Sequence, residues 1–456
     1  MNQQAPPGKL VLRGQVVDGT LNAPLPDGVV VIDGAKIAWV GPTQLLPDQY
    51  RTPEWPAIGG AGKTVMPGLI DGHIHVSFGE ARSEEELALY TPVEYRSIRA
   101  VWNARKILRA GVTSAFDAAT TYNIAASVRD SIEAGMFPGP RLSVAGRQLT
   151  THQGLEDSFP SSMQFPPGQA GVLVKSRDEI IEAIRLQVKD GVDVIKVSGS
   201  NDSAISDEPL NSSAFRAEEF QLIAEETHRL QRCCTVHARS RDSVTQAARA
   251  GFDWIMHASY IDDEGIDLCL KNKISITPTL TLLINIVNSH QGSAGASAVD
   301  IFKAEIDAAT ENLSRAYRAG VPLICGSETG WSLVPYGQWH AKEMEIFVTL
   351  LGLSPLQAIH AATLAASRCL PKWTGSIGRL SEGYIADVLL VDGDPLADIR
   401  ILQDPSRFDL VLKSGQPVDT GTPIAPRKIW SYEKHKTFLS GWFDFNPKTG
   451  LGEVRQ

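Results

Sequence analysis

Apolar and polar positions alternate in short runs over the first sixty or so residues. The segments "KLVLRGQVVDG" and "GVVVIDGAKIAWVG" have the period of two expected of strands, and "DG" in the second marks a hairpin-like turn. The same style returns near the end in "IADVLLVDGDPLADI" and "FDLVLKSGQPV". Between about Pro67 and Ala366 the texture changes. Short β-rich runs ("TSAFDA", "RLSVAG", "DVIKVSG", "CTVHA", "WIMHAS", "SITPTL", "VPLICGSE") alternate with segments whose apolar positions recur at helical spacing, among them "SVTQAARAGF", "KAEIDAATENLSRAYRAG" and "SPLQAIHAATLAASRCL". Such alternation over roughly 300 residues predicts a parallel sheet covered on both faces, and the span suits a (β/α)8 barrel.

The expected organisation is therefore an α/β barrel over residues 66–366. A small β-sandwich would be assembled from both chain ends, residues 1–65 and 367–456, with a C-terminal tail beyond about Gly421. The polar stretch Asn288–Asp300 is read as an exposed loop. A chain of 456 residues with 43% hydrophobic and 21% charged residues fits one large and one smaller globular domain. A net charge of −9 argues against general binding to nucleic acid or acidic membranes. The opening "MNQQAPPGKLVLRG" predicts no secretory leader, and no apolar run is long enough to span a bilayer. Cys233, Cys234, Cys269, Cys325 and Cys369 lack zinc-type spacing, and a reducing cytoplasm is the expected location.

Against this background two histidines stand out. His73 and His75, in "VMPGLIDGHIHVSFGE", lie two residues apart in an apolar run, so a strand would aim both imidazoles to one side. Convergent neutral imidazoles suit a metal ion such as zinc. Lys196 is a charge inside the apolar strand "DVIKVSGS", where lysine is rare without a partner. His237 and His257 end two consecutive predicted strands about twenty residues apart, and Glu328 ends the last one. In a barrel these strand ends open onto one mouth. Each signal alone is weak; together they describe a metal-supported site.

On these residues, and on "MPGLIDGHIH", "AGVTSAFDA", "FPGPRLSVAGRQLT", "EEFQLIAEETHR" and "GSIGRLSEGYIADVLLVDGDPLADI", the sequence resembles the amidohydrolase superfamily over nearly its whole length. Its nearest likeness there is the branch of prolidase-like dipeptidases, ochratoxin-type amidases, and phenylurea and thiocarbamate hydrolases. The resemblance implies a distorted (β/α)8 barrel with a flanking β-sandwich and one or two divalent metal ions per chain, zinc first and cobalt or manganese as alternatives. His73 and His75 would hold the more buried ion, His237 and His257 the more exposed one. Lys196 would bridge two ions after carboxylation by CO2. Where the family places an aspartate, this chain has Glu328, which keeps the carboxylate as ligand and proton shuttle but adds a methylene.

For substrate contacts the sequence offers His152 in "RQLTTHQG", Phe215 in "AFRAEEF", and Trp331, Tyr336, Trp339 and His340 in the loop after Glu328. Aromatic residues over the mouth favour a flat or apolar substrate. Arg216 and Arg147 read as exposed; His228, His290, His360 and His435 read as structural or solvent-facing. The resulting expectation is hydrolysis of an amide, urea or carbamate bond in a small, partly aromatic molecule. The alternatives are a dipeptidase acting on Xaa-Pro or N-acyl amino acids, a mononuclear deaminase, and a catalytically silent scaffold. A homo-oligomer is expected because family members commonly assemble.

Overall fold

A computed structural model describes residues 8–152, 154–202, 212–290 and 296–422; the side chains of 290 and 296–298 are left aside. The tail beyond 422, including His435, lies outside these residues. In chain order the strands are β1 (Lys9–Val16), β2 (Leu25–Asp33), β3 (Lys36–Pro42), β4 (Ala57–Pro67), β5 (Leu69–Ile74), β6 (Val112–Asp117), β7 (Arg141–Val144), β8 (Gln148–Thr150) and β9 (Gly171–Leu173). They continue with β10 (Val194–Ser198), β11 (Cys233–Ala238), β12 (Trp254–His257), β13 (Ser275–Thr277), β14 (Val388–Asp392), β15 (Phe408–Lys413) and β16 (Gln416–Pro417).

The chain ends meet in one seven-stranded sheet of order β16-β15-β14-β4-β1-β2-β3. Leu12, Val30, Ile37, Val65, Leu390 and Leu412, drawn from both ends, share one hydrophobic cluster. The strands of the two ends thus join in a single hydrogen-bonded sheet among the described residues, where a two-sheet sandwich is expected. Between the ends the fold is TIM-barrel-like, with helices interleaved between parallel strands. Its ladders form two sheets, β5-β6-β7 and β13-β12-β11-β10-β8-β9, and do not close into one barrel. The expected last strand is reduced to an isolated bridge, Leu323 to Ile276. The segment around it still crosses the gap: Ile324 N donates to Ile276 O on β13, and Gly72 N on β5 donates to Cys325 O, both at 2.8 Å.

Strands β5, β6 and β10 are buried at every position, as expected of strands covered on both faces. Several helices start where the sequence supplies a cap. Ser176, Ser240, Asp262 and Ser354 each accept a backbone N–H of the first turn, and Ser354 with Gln357 completes a capping box. The predicted loop 288–300 is helical at both ends, because the helices Leu280–His290 and Ala296–Ala319 extend into it. The alanine-rich run after Gly295 is a good helix former, and this outweighs its small polar neighbours. No helix of the described residues is long and apolar enough to cross a membrane.

Candidate active site

Strand register brings three of the expected residues to neighbouring ladders. Ser198 pairs with His237, and Ala238 with His257, so Lys196, His237 and His257 occupy three adjacent strands. Glu328 is fixed to β5 by its own backbone, whose N–H donates to His73 O at 2.8 Å. Glycine makes that approach possible: a Cβ on Gly326 would stand 2.8 Å from His73 Cβ, and one on Gly330 would stand 2.8 Å from His75 Cβ. His257 and Glu328 have left-handed backbones, with φ of 70° and 58°. Such conformations cost about 1–3 kcal/mol each for non-glycine residues and cluster at functional sites.

The side chains converge. His73 Nε2 lies 3.2 Å from His75 Nε2 and 3.9 Å from Glu328 Oε1. The rings of His237 and His257 are 4.4 Å apart, and those of His73 and His257 are 5.5 Å apart. Ligand atoms of His73, His257 and Glu328 all fall within 4.8 Å of one another. Burial holds the imidazoles in their neutral form: His75 is pushed down to about 3, His237 to about 4, and His73 and His257 well below the usual value. Burial also lowers Lys196 to about 7, against the pull of Glu328 and Glu156, and raises Glu328 to about 7, against the pull of Arg239.

Two histidines have their tautomers set by neighbours. His75 Nδ1 faces the Ala119 carbonyl at 3.0 Å, which can only accept, so Nε2 carries the lone pair. The Thr279 hydroxyl donates to Pro278 O and therefore accepts from His257 Nδ1, leaving Nε2 bare. That Nε2, together with Glu328 Oε2, is buried without a hydrogen-bond partner. A bare imidazole nitrogen, a bare carboxylate oxygen and a second imidazole within one small cluster are the donor set of a divalent cation, so the residues present fit a metal.

The expected substrate contacts fare differently. Trp331 lines the cavity above the cluster and packs edge-on against Phe78, which in turn stacks on His75. Tyr336 does not face the cavity: its hydroxyl donates to His75 O and accepts from Gly79 N, anchoring the backbone beneath. His340 sits behind the site, where Nε2 accepts from Gly337 N and Nδ1 donates to Asp71 Oδ2 at 2.8 Å. Trp339 packs against the core, and buried Phe215 packs edge-on against Phe220. His152 is exposed, pairs with Asp157 at 3.1 Å and lines a separate outer groove. In the loop after Glu328 only Trp331 faces the cavity; Tyr336, Trp339 and His340 turn inward and pack beneath or behind the site. Arg147 is partly buried and borders the same outer groove. His228 pairs with Asp253 and His360 with Gly19 O.

Four residues with no part in the expected site belong to it. Asp71 accepts His73 N, Ser327 N and Ser327 Oγ besides His340. Arg239 is buried between Asp202 and Glu305, and Asp202 also stands 3.2 Å from His237 Nε2. Glu156 lines the cavity wall. Two carried a legible signal: Asp71 lies two residues before His73, and Arg239 two after His237, on matching strand faces. Asp202 and Glu156 come from loops and carried none.

Parallel strands whose ends present a buried histidine and carboxylate cluster define a hydrolase of the amidohydrolase type. The amidohydrolase family model matches residues 64–418, and the chain belongs to that family, whose members here are hydrolases acting on carbon–nitrogen bonds. Ochratoxinase from Aspergillus niger is 28% identical over 456 residues, covering 94% of this chain and 90% of that one. Its crystal structure superposes with a TM-score of 0.80 at 26% identity, covering 90% of this chain and 95% of its own. A prolidase complexed with N-methylphosphonate-L-proline gives a TM-score of 0.77 at 26% identity, covering 90% and 99%. Imidazolonepropionase from Cereibacter sphaeroides is 22% identical over 415 residues, covering 86% and 95%.

Proposed function

We propose that this chain hydrolyses an amide, urea or carbamate bond in a small, largely apolar molecule with the help of one or two divalent metal ions. The observation that carries the reading is the convergence of buried ligand atoms from His73, His257 and Glu328, with His73 and Glu328 lining a cavity of about 590 Å³. That volume suits a small organic substrate. Leu282, Ile286, Phe302 and Trp331 give the cavity an apolar wall. Ochratoxinase and prolidase, both similar over most of their length, support an amide-type substrate.

His73, His75, His237, His257 and Glu328 would hold the metal, and Lys196 would bridge two ions once carboxylated. When bound, a divalent ion supplies Lewis acidity, acidifying water and polarising a carbonyl oxygen. The chain's own part is positional and protonic. Glu328 is placed to take the proton of the attacking water on its carboxylate and to return it to the leaving nitrogen. His75 and His257, with tautomers fixed by Ala119 O and Thr279, keep their Nε2 lone pairs on the cluster. The apolar wall excludes bulk water from the reacting bond.

Elemental analysis of protein purified without chelator, combined with a panel of anilides, phenylureas and carbamates, tests this reading. One or two zinc, cobalt or manganese ions per chain with turnover of at least one class is the expected result. Turnover confined to Xaa-Pro dipeptides or N-acyl amino acids would move the substrate to the dipeptidase type. Absence of bound metal together with absence of turnover would sink the proposal.

A further inference from the structure

The cavity has a second, polar region that hydrolysis does not use. Glu84, Glu85 and Glu156 line it beside the apolar wall. Gln169 ties the first and last together, its Nε2 donating to Glu84 Oε2 at 3.3 Å and to the Glu156 backbone carbonyl at 2.9 Å. Glu156 is nine-tenths buried; its Oε1 is held by Gln148, but its Oε2 has no donor. Glu85 Oε2 and the Gln169 amide oxygen are likewise buried without a donor. Two of these unpaired acceptors belong to glutamates that line the recess, a costly arrangement in which each calls for a missing N–H or O–H.

Lys196 and Arg147 attract Glu156 across space, but no cation among the described residues donates a hydrogen bond to its free oxygen. Arg239 is committed to Asp202 and Glu305, and Lys196 belongs to the histidine cluster. Arg147 donates from Nε to Gln169 O and borders the outer groove. An ammonium group carries three N–H donors, which the free oxygens lack, and a charge opposite to that of the glutamates. We propose that Glu84, Glu85 and Glu156 form an ammonium-binding subsite, so that the substrate is a molecule carrying a protonated amine beside an apolar body. This rests on the hydrolase reading above and narrows it: carboxylated substrates are disfavoured. The apolar part would lie along Leu282, Ile286 and Phe302 while the amine reaches the glutamates.

Binding and turnover separate this inference from the reading beneath it. Calorimetric titration with phenethylammonium, 2-phenylethanol and 3-phenylpropionate compares a cation, a neutral molecule and an anion on one apolar body. The ammonium should bind at least about tenfold more tightly than either of the others, the size expected of a charge-assisted contact. Glu156→Gln and Glu84→Gln should each cut that ratio at least about fivefold, with melting temperatures confirming that both variants fold. Equal binding of the amine and the alcohol overturns the subsite and leaves a water-filled recess. So does an amine preference that survives both substitutions. In parallel, leucine p-nitroanilide should be cleaved faster than its N-acetyl and N-succinyl forms. Equal rates for the three would also overturn the subsite, whereas failure to cleave any of them, with the binding preference intact, would count against the hydrolysis of anilides alone.

Discussion

Asp71 Oδ2 accepts the Ser327 hydroxyl at 2.6 Å, joining the strand that carries His73 to the segment that carries Glu328. The same carboxylate takes backbone N–H groups from His73 at 3.1 Å and Ser327 at 3.0 Å, and the His340 ring at 2.8 Å. Four donors on one buried carboxylate set the distance between the two halves of the cluster. Asp71→Asn replaces one acceptor with a donor that faces Ser327 or His340. A loss of about 1–3 kcal/mol in urea-denaturation stability is expected, with kcat falling further than KM rises. Unchanged kcat would mean that this carboxylate supports the fold but not the site.

A second buried carboxylate ties the barrel-like part to the C-terminal strands. Arg141 on β7 pairs with Asp387, donates to Ser114 Oγ and Ser414 Oγ, and stacks on Trp373. Asp387→Ala leaves the guanidinium buried and unpaired, so a loss of about 3–5 kcal/mol is expected. Replacing both partners with apolar residues, as in an Arg141→Met/Asp387→Leu double variant, should recover much of that loss. Melting temperatures of the two variants decide it, and a double variant no better than the single one would show that the hydrogen bonds to serine matter more than the charge.

The convergence of histidine and carboxylate side chains was legible because strand periodicity is local. His73 and His75 two apart, a lysine in an apolar run and histidines at the ends of consecutive strands all follow from spacing along the chain. That both ends meet was legible for a similar reason, since their alternating pattern differs from the middle; that they share one seven-stranded sheet was not. The loop after Glu328 was not. Tyr336 and Trp339 look like cavity aromatics in one dimension, but the direction of a loop side chain is set by contacts from β5 that spacing does not encode. The acids of the cavity were invisible for the converse reason: Glu84 and Glu156 lie 72 residues apart and meet only through Gln169.

One ion pair should leave a signature in the pH dependence of stability. His228 Nε2 lies 3.0 Å from Asp253 Oδ2, and that hydrogen bond raises the imidazole above its usual value of 6.5, burial opposing. The folded form therefore holds the proton more tightly than the unfolded form. The stabilisation is complete below pH 6.5 and is lost as pH climbs through the raised value. Both groups are partly exposed, so its worth is below about 1 kcal/mol. The melting-temperature gap between wild type and His228→Gln should be larger at pH 5.5 than at pH 8.5 (two illustrative values about either side of the shift). A constant gap would assign His228 to packing.

Removal of metal should be reversible if the ligands are preformed. The imidazoles are held neutral by burial and two are oriented by fixed hydrogen bonds, so the ligand set does not depend on the ion for its shape. Dialysis against a chelator should abolish turnover while leaving the far-ultraviolet circular dichroism spectrum intact, and added zinc should restore most of the rate. His73→Ala should lose both metal and rate. Collapse of secondary structure on chelation would show that the ion is holding the fold as well as the chemistry.

Under the proposed mechanism, Glu328 would carry the proton. In the metal-free chain, burial raises its carboxyl to about 7, and a neighbouring dication would draw it lower, because positive charge favours the ionised form. As the base, it must be ionised to take a proton, so kcat/KM should climb with pH along an acid limb centred below about 7. Glu328→Gln keeps the shape, removes the base and should lower kcat by about 100-fold or more while erasing that limb. Glu328→Asp retains the base but draws it back by one methylene from His73, whose Nε2 is 3.9 Å from Oε1. With the backbone pinned to His73 O and the residue in a left-handed conformation, the strand cannot move to compensate. The aspartate variant should therefore keep the acid limb but lose about tenfold in kcat, the cost of a proton-transfer group held out of reach. Should it gain rate instead, the glutamate is a poor fit to its own site, and the longer side chain must serve metal binding more than proton transfer.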